Sequence, residues 1–160
     1  PQREYEGTSF IQGSILDKTL VLKAMKDVEI VYHFAALTDL DTVNNNPAPA
    51  IEINIAGTSN VLDACIEKNI ERFIFSSSVY VYSETGGVYK STKQACELLI
   101  KDYDKMYDLN YTIMQLGSVY GPKSNQTNLI TRLIFEAINK GVMKHSGKGD
   151  EIRKYIFVNG

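Results

Sequence analysis

The sequence predicts an α/β domain in which a parallel, doubly wound sheet carries helices on both faces. Three observations lead there. Short apolar runs of strand length alternate with longer segments of helical spacing along the chain. Two of the runs, Ile30-Val31-Tyr32 and Phe73-Ile74-Phe75, are continuously apolar, as strands buried on both sides are. Neighbouring parallel strands also need a helical crossover between them, and the order strand, helix, strand provides one each time.

In order, strands are expected at 8–12, 30–34, 72–76, 111–116 and 155–158. Asp17 can cap a helix running to about Lys26, with Leu20, Val21 and Ala24 inward. A second helix is expected over about 48–68, where Ile51, Ile55, Leu62 and Cys65 form one apolar stripe. A third is expected over about 88–107. A fourth runs over about 128–139 and is stopped by Gly141.

With 160 residues, 44% of them hydrophobic, the chain suits one domain with its own core. The formal net charge is −2 with both signs interspersed, so nucleic acid is not an expected partner. No apolar run reaches membrane-spanning length and residues 1–7 are polar, so no membrane partner and a soluble, cytoplasmic protein are expected. Cys65 and Cys96 fall in predicted helices with no metal-ligand spacing around them, which predicts buried reduced thiols and no metal site. His33 lies inside an apolar strand and is expected to be a hydrogen-bonded core residue. His145, in a glycine-containing segment, suggests no chemistry, and Asn125-Gln126-Thr127 matches a glycosylation acceptor that carries little weight without a secretory signal.

The chemistry concentrates in two places. Tyr89 and Lys93 stand four residues apart on a predicted helix, hence on one face. A free phenol has a pKa of ~10, and lowering it by ~3 units takes ~4 kcal/mol, which an ammonium together with an oxidised nicotinamide could supply. Ten tyrosines in a chain of this size produce ~0.8 such pairs by chance, so the spacing alone is weak. Its context strengthens it. Eleven positions earlier the strand at 72–76 runs into Ser76-Ser77-Ser78, placing hydroxyls at the carboxyl edge of the sheet, where open α/β sheets bind ligands. One hydroxyl can then orient a substrate oxygen while a phenolate removes its proton.

Several segments together resemble the extended short-chain dehydrogenases/reductases of the NAD-dependent epimerase/dehydratase type, similar to UDP-glucose 4-epimerases. They are Val31-Tyr32-His33-Phe34-Ala35-Ala36, Asn54-Ile55-Ala56-Gly57-Thr58, Phe75-Ser76-Ser77-Ser78 followed by Val81-Tyr82, Tyr89 to Lys93, Val119-Tyr120-Gly121-Pro122 and Arg153-Lys154-Tyr155-Ile156. They follow the family's order. The resemblance implies a Rossmann-type, NAD(P)-binding domain. No glycine cluster follows a strand in this sequence, so the family's N-terminal glycine-rich unit and most of its C-terminal substrate region are expected to lie outside these 160 residues.

The resemblance also implies roles. Ser78, Tyr89 and Lys93 would be catalytic, with Tyr89 as base and Lys93 both lowering its pKa and bonding the nicotinamide ribose. Phe34, Ala35, Ala36 and Ser76 would line the cofactor crevice, with Asn54 holding the helix geometry behind it. The backbone from Leu116 to Val119 would approach the nicotinamide, and Ser14 and Ile15 stand where the family has Asp-Ile beside the adenine. Thr38, Ser78, Ser118 and Arg153 would face substrate, Arg153 as a planar fork for phosphate. Gln115 occupies a place where the family often has Arg, and Gly86-Gly87 predicts a tight turn into the Tyr89 helix. Val79 and Tyr80 stand where nucleotide-sugar 4,6-dehydratases carry an acidic pair, which disfavours water elimination.

The expected function is a nucleotide-sugar epimerase using tightly bound NAD through a transient keto-sugar, with NADP left open. Two alternatives remain: an NAD(P)-dependent dehydrogenase or reductase of a sugar nucleotide or 3-beta-hydroxysteroid-like substrate, and a non-catalytic NAD-binding interaction module. A homodimer through a four-helix bundle, made by the helices at about 48–68 and 88–107, is the expected assembly.

Overall fold

The computed structural model describes residues 7–124, 128–144 and 154–158. They fall into two compact units, one reaching through Met114 and the other starting at Gln115.

The first unit opens on residues 8–14, which form no strand. A strand needs a ladder partner, residues 8–12 form no ladder, and Phe10 and Ile11 are left exposed. Helix α1 (Lys18–Ala24) follows, capped by Asp17, whose carboxylate accepts from the Leu20 N–H at 3.0 Å. Strand β1 (Ile30–His33) pairs in parallel with β2 (Arg72–Ser78), Val31 opposite Phe73 and His33 opposite Phe75. Strand β3 (Tyr111–Leu116) lies on the other side of β2, giving the order β1-β2-β3.

The connection from β1 to β2 is more broken than its periodicity predicts. Helix α2 (Leu40–Asn45), capped by Asp39, has no counterpart among the predicted elements. The expected helix over 48–68 is α3 (Pro47–Ala50), a π-helical turn (Ile51–Ala56) and α4 (Gly57–Glu67) in succession. The Gly57 N–H bonds back five residues to Glu52, the signature of a π turn. After β2 a 3-10 turn (Val79–Tyr82) leads to α5 (Gly87–Tyr107).

The core lies where α1, α4 and α5 cover one face of the sheet: Val21, Val61, Leu62, Cys65, Phe73, Phe75, Cys96 and Ile100 are all buried in one cluster. On β1 the burial alternates, with Val31 and His33 turned inward and Ile30 and Tyr32 exposed at 45% and 60%, so the apolar run expected to be covered on both sides is covered on one. Cys65 and Cys96 are free, buried thiols, and burial pushes Cys65 up to about 12. No group of His, Cys, Asp and Glu among the described residues could hold a metal, and no helix among them is long and apolar enough to cross a membrane.

In the second unit, β4 (Ser118–Tyr120), too short to stand out in the sequence, pairs in parallel with β5 (Tyr155–Phe157). Helix α6 (Leu129–Lys140) is capped by Asn128 and ended by Gly141 at φ 65°, as its flanking residues predict.

Candidate active site

β2 ends in hydroxyls because its alternation sends Ser77 inward, while Ser78, at its last position, supplies the 3-10 turn with a cap: its hydroxyl oxygen accepts from the Tyr80 N–H at 3.3 Å. Ser77 donates to Glu97 at 2.5 Å, tying the strand end to α5. Tyr89, in the first turn of α5, is 8% exposed, and Ser78 stands near enough to its phenol to favour the ionised form. The Tyr80 ring meets the Tyr89 ring edge-on at 6.4 Å.

One turn further along α5, Lys93 is 3% exposed. Its ammonium donates to the Ser76 carbonyl at 2.7 Å, lies 4.6 Å above the Phe75 ring and stands 5.9 Å from the centre of the Tyr89 ring. Burial lowers the Lys93 pKa. Burial likewise raises the Tyr89 phenol, against Ser78, which favours the phenolate, and with a smaller upward push from Tyr80. In the chain by itself, desolvation of the phenol outweighs the lowering expected from Lys93.

Behind these residues runs a buried polar chain. Asn54, held in the π turn, accepts from the Leu37 N–H at 2.7 Å and donates to the Leu37 carbonyl at 3.0 Å and to the Thr92 hydroxyl at 3.1 Å. Thr92 donates to the Tyr89 carbonyl at 2.8 Å. The Thr58 hydroxyl donates to the Asn54 carbonyl at 2.5 Å, so at 2.9 Å it receives from His33 Nε2, which assigns the Nε2–H tautomer. Burial, and behind it the Lys93 charge, push His33 down to about 4. His33 is thus the hydrogen-bonded core residue expected.

Asn54 fixes the strand-end segment: Phe34, Ala35 and Thr38 are exposed and Ala36 half-buried on either side of the clamped Leu37. Ser76 contributes its carbonyl to Lys93. Ser14 is exposed and its hydroxyl accepts from the Leu16 N–H at 3.2 Å. Ile15 packs on Gly57, where a Cβ would come within 2.5 Å of the Ile15 Cδ1. Leu116 ends β3, and Ser118 and Val119 are exposed on β4 in the second unit. Arg153 lies outside the described residues. Ser78, Tyr89, Lys93, Ser76 and Asn54 are therefore brought together within the first unit.

Sequence reasoning missed Thr92, Thr58, Asn60 and Asn44. Asn60 donates to the carbonyls of Ile15 and Leu16, both at 3.1 Å, and so holds the 14–16 turn. A threonine three residues after Tyr89 on the same helix was the one visible hint at Thr92.

The model of the NAD dependent epimerase/dehydratase family matches residues 1–159. The chain belongs to this family. Low-salt glycan biosynthesis protein Agl12 of Haloferax volcanii is 28% identical over 93% of this chain and 52% of its own length. The dTDP-glucose 4,6-dehydratase of Mycolicibacterium smegmatis is 29% identical over 93% of this chain and 50% of its own. Among solved structures, the UDP-glucuronic acid 4-epimerase of Bacillus cereus, in complex with UDP-glucuronic acid and NAD, superposes with a TM-score of 0.83 at 28% identity, covering 94% of this chain and 52% of that one. The UDP-glucose 4-epimerase of Thermotoga maritima gives 0.87 at 24% identity over 98% and 57%, a likeness of fold. The chain spans about half the length of these members of the family.

Proposed function

We propose that this chain carries the catalytic part of a nucleotide-sugar epimerase that works with tightly bound NAD. The observation that carries the reading is the buried Tyr89 phenol beside Ser78 at the end of β2, with the buried Lys93 ammonium 5.9 Å from the Tyr89 ring centre. Membership in the family and likeness to the Bacillus cereus 4-epimerase support it.

The donor set fits a nicotinamide nucleotide. An ammonium has three N–H groups, and the contact to Ser76 engages one of those of Lys93, leaving donors for ribose hydroxyls. Ala35 and Ala36 carry only methyl groups at the open end of β1, where a flat ring needs room. Ser14, Ile15, Phe34, Ser76 and Asn54 would complete the cofactor side within the first unit. Bound NAD would supply a hydride acceptor for a sugar carbinol carbon and a hydride donor to the ketone so formed.

Tyr89, as phenolate, removes the carbinol proton as the C–H bond breaks and gives it back as the new C–H bond forms. Ser78 holds the reacting oxygen by a hydrogen bond. Thr38 would meet the substrate from the first unit, and in the second Ser118 would offer a hydroxyl and Arg153 a planar fork for phosphate. Because burial keeps Tyr89 protonated in the chain alone, phenolate would need further positive charge, which an oxidised nicotinamide held by Lys93 would supply.

Water elimination, the chemistry in the name of the mycobacterial relative, fits less well. Tyr80 stands in place of one member of the acidic pair and packs against Tyr89. A homodimer in the cytoplasm is the proposed assembly: Leu98, Met106 and Tyr107 are exposed on α5, which the 2.5 Å bond from Tyr103 to Asp63 ties to α4.

The test is to express the full-length protein and supply UDP- and dTDP-sugars. Epimerised sugar with no net NADH, and NAD retained through purification, are expected. Tyr89→Phe should lose turnover by about 10³-fold while still retaining NAD. Wild-type turnover in that variant, or stoichiometric NADH release, overturns the reading.

A further inference from the structure

We propose that Asn44 is a positioning residue for Tyr89, capping from α2 the helix on which the phenol stands. This rests on Tyr89 being the base.

A helix leaves its first N–H groups without partners inside the helix, and a side chain just before it normally accepts from one of them. The residue before α5 is Gly86, in the left-handed region at φ 107°, and no side-chain cap comes from it. The Val88 N–H instead donates to Asn44 Oδ1 at 3.0 Å, from 44 positions away. Gly87 makes the approach possible: a Cβ there would fall 2.2 Å from Asn44 Oδ1, and its φ of 51° also favours glycine.

The neighbouring residue of α2 acts on the ring itself. Val43, 1% exposed, packs with Ala50 and Tyr89 in one buried cluster. Adjacent residues of one short helix thus hold the Tyr89 ring and the backbone turn beneath it. On the far side Lys90 donates to the Ser83 carbonyl at 2.7 Å, which anchors the turn leading into α5. Thr92 grips the Tyr89 carbonyl and hangs from Asn54, which also clamps Leu37 just ahead of α2. The ionisable groups facing the phenol are Lys93 on its own helix and Tyr80 on the 3-10 turn. A slack first turn would move the phenol against both, and against Ser78.

The full-length protein is compared with Asn44→Ala, Asn44→Asp and Tyr89→Phe. A carboxylate at 44 can still accept from Val88, whereas alanine cannot. With alanine, exchange of the Val88 amide should rise about tenfold, kcat should fall about tenfold with KM nearly constant, and the limb of the pH profile governed by Tyr89 should move. The same movement should appear without turnover, in the phenol ionisation read by ultraviolet difference against the Tyr89→Phe background. Aspartate should restore the Val88 protection and most of kcat. Wild-type kcat and pH profile in Asn44→Ala overturn the proposal, as does equal loss in Asn44→Asp or loss of fold in either variant. Full activity in Tyr89→Phe removes the underlying reading instead, and the Val88 exchange and phenol ionisation then still report on Asn44.

Discussion

Lys93 directs its ammonium to the Ser76 carbonyl, 2.7 Å away, and thereby joins the helix of Tyr89 to the strand that ends in Ser78. It does so from a buried position in which its pKa is lowered by desolvation, with no carboxylate among the described residues paired to it. A lone buried charge is costly to keep, and residues kept at a cost to the fold are commonly kept for function.

Lys93→Met should separate the two roles. Methionine fills the same space over Phe75 without a charge to desolvate, so the thermal midpoint of the chain should hold or rise despite the lost bond to Ser76. Turnover of the full-length protein should fall by about 10²-fold or more, with weaker NAD retention. A clear drop in midpoint with turnover intact would make Lys93 a structural brace.

His33 predicts how stability follows pH. Its pKa is lowered from 6.5 to about 4, so above about pH 6.5 folded and unfolded chains both hold it neutral. Below that, the unfolded chain takes up a proton that the folded chain refuses until about pH 4. The stabilising contribution is therefore complete above 6.5 and lost as pH falls through this window, by roughly 3 kcal/mol at its foot. Urea midpoints at pH 7 and 4.5 measure it. His33→Gln, which can still donate to Thr58, should lower stability at pH 7 but flatten the decline. An identical acid-side loss in both proteins would assign it to other groups.

Asn54 should be intolerant of an apolar isostere. Asn54→Leu leaves the Leu37 N–H and carbonyl without their partner and cuts Thr92 loose, at about 3 kcal/mol. Hydrogen exchange should show Leu37 deprotected first. Unchanged denaturant midpoints would mean that water replaces the amide.

What could be read ahead of the structure follows physical reach. Asp17 and Gly141 act within a turn of themselves, and the helix ends they predict are there. The 111–116 strand is found at its expected limits, since its apolar and β-branched residues bury locally. Helix α2 was hidden because Asn44-Asn45-Asn46-Pro47 looks like a breaker and only Val43 is buried. The π turn leaves the apolar stripe nearly intact and is visible only through its hydrogen bonds. In the site, Tyr89 and Lys93 share a helical face and Ser78 ends a strand, all local facts. The bonds from Asn54 to Thr92 and from Asn44 to Val88 span 38 and 44 positions, and no local pattern announces them.

Gly117 offers a test confined to the second unit. It precedes β4, where the Ser118 N–H donates to the Lys154 carbonyl at 2.9 Å. A Cβ on Gly117 would lie 2.4 Å from that oxygen and 3.0 Å from its carbon, both backbone atoms that cannot rotate away. Its φ is not positive, so the cost of Gly117→Ala is steric. The Lys154 backbone next to β5 must retreat, and the Ser118 bond goes with it, at about 2 kcal/mol locally. Exchange should accelerate at Ser118 and Val158, whose N–H donates to the Tyr120 carbonyl, while Phe73 and Phe75 in the first unit stay protected. If Ser118 remains as protected as in the parent, β5 does not need this close approach, and pairing of β4 with β5 rests on Ile156 and Phe157 instead.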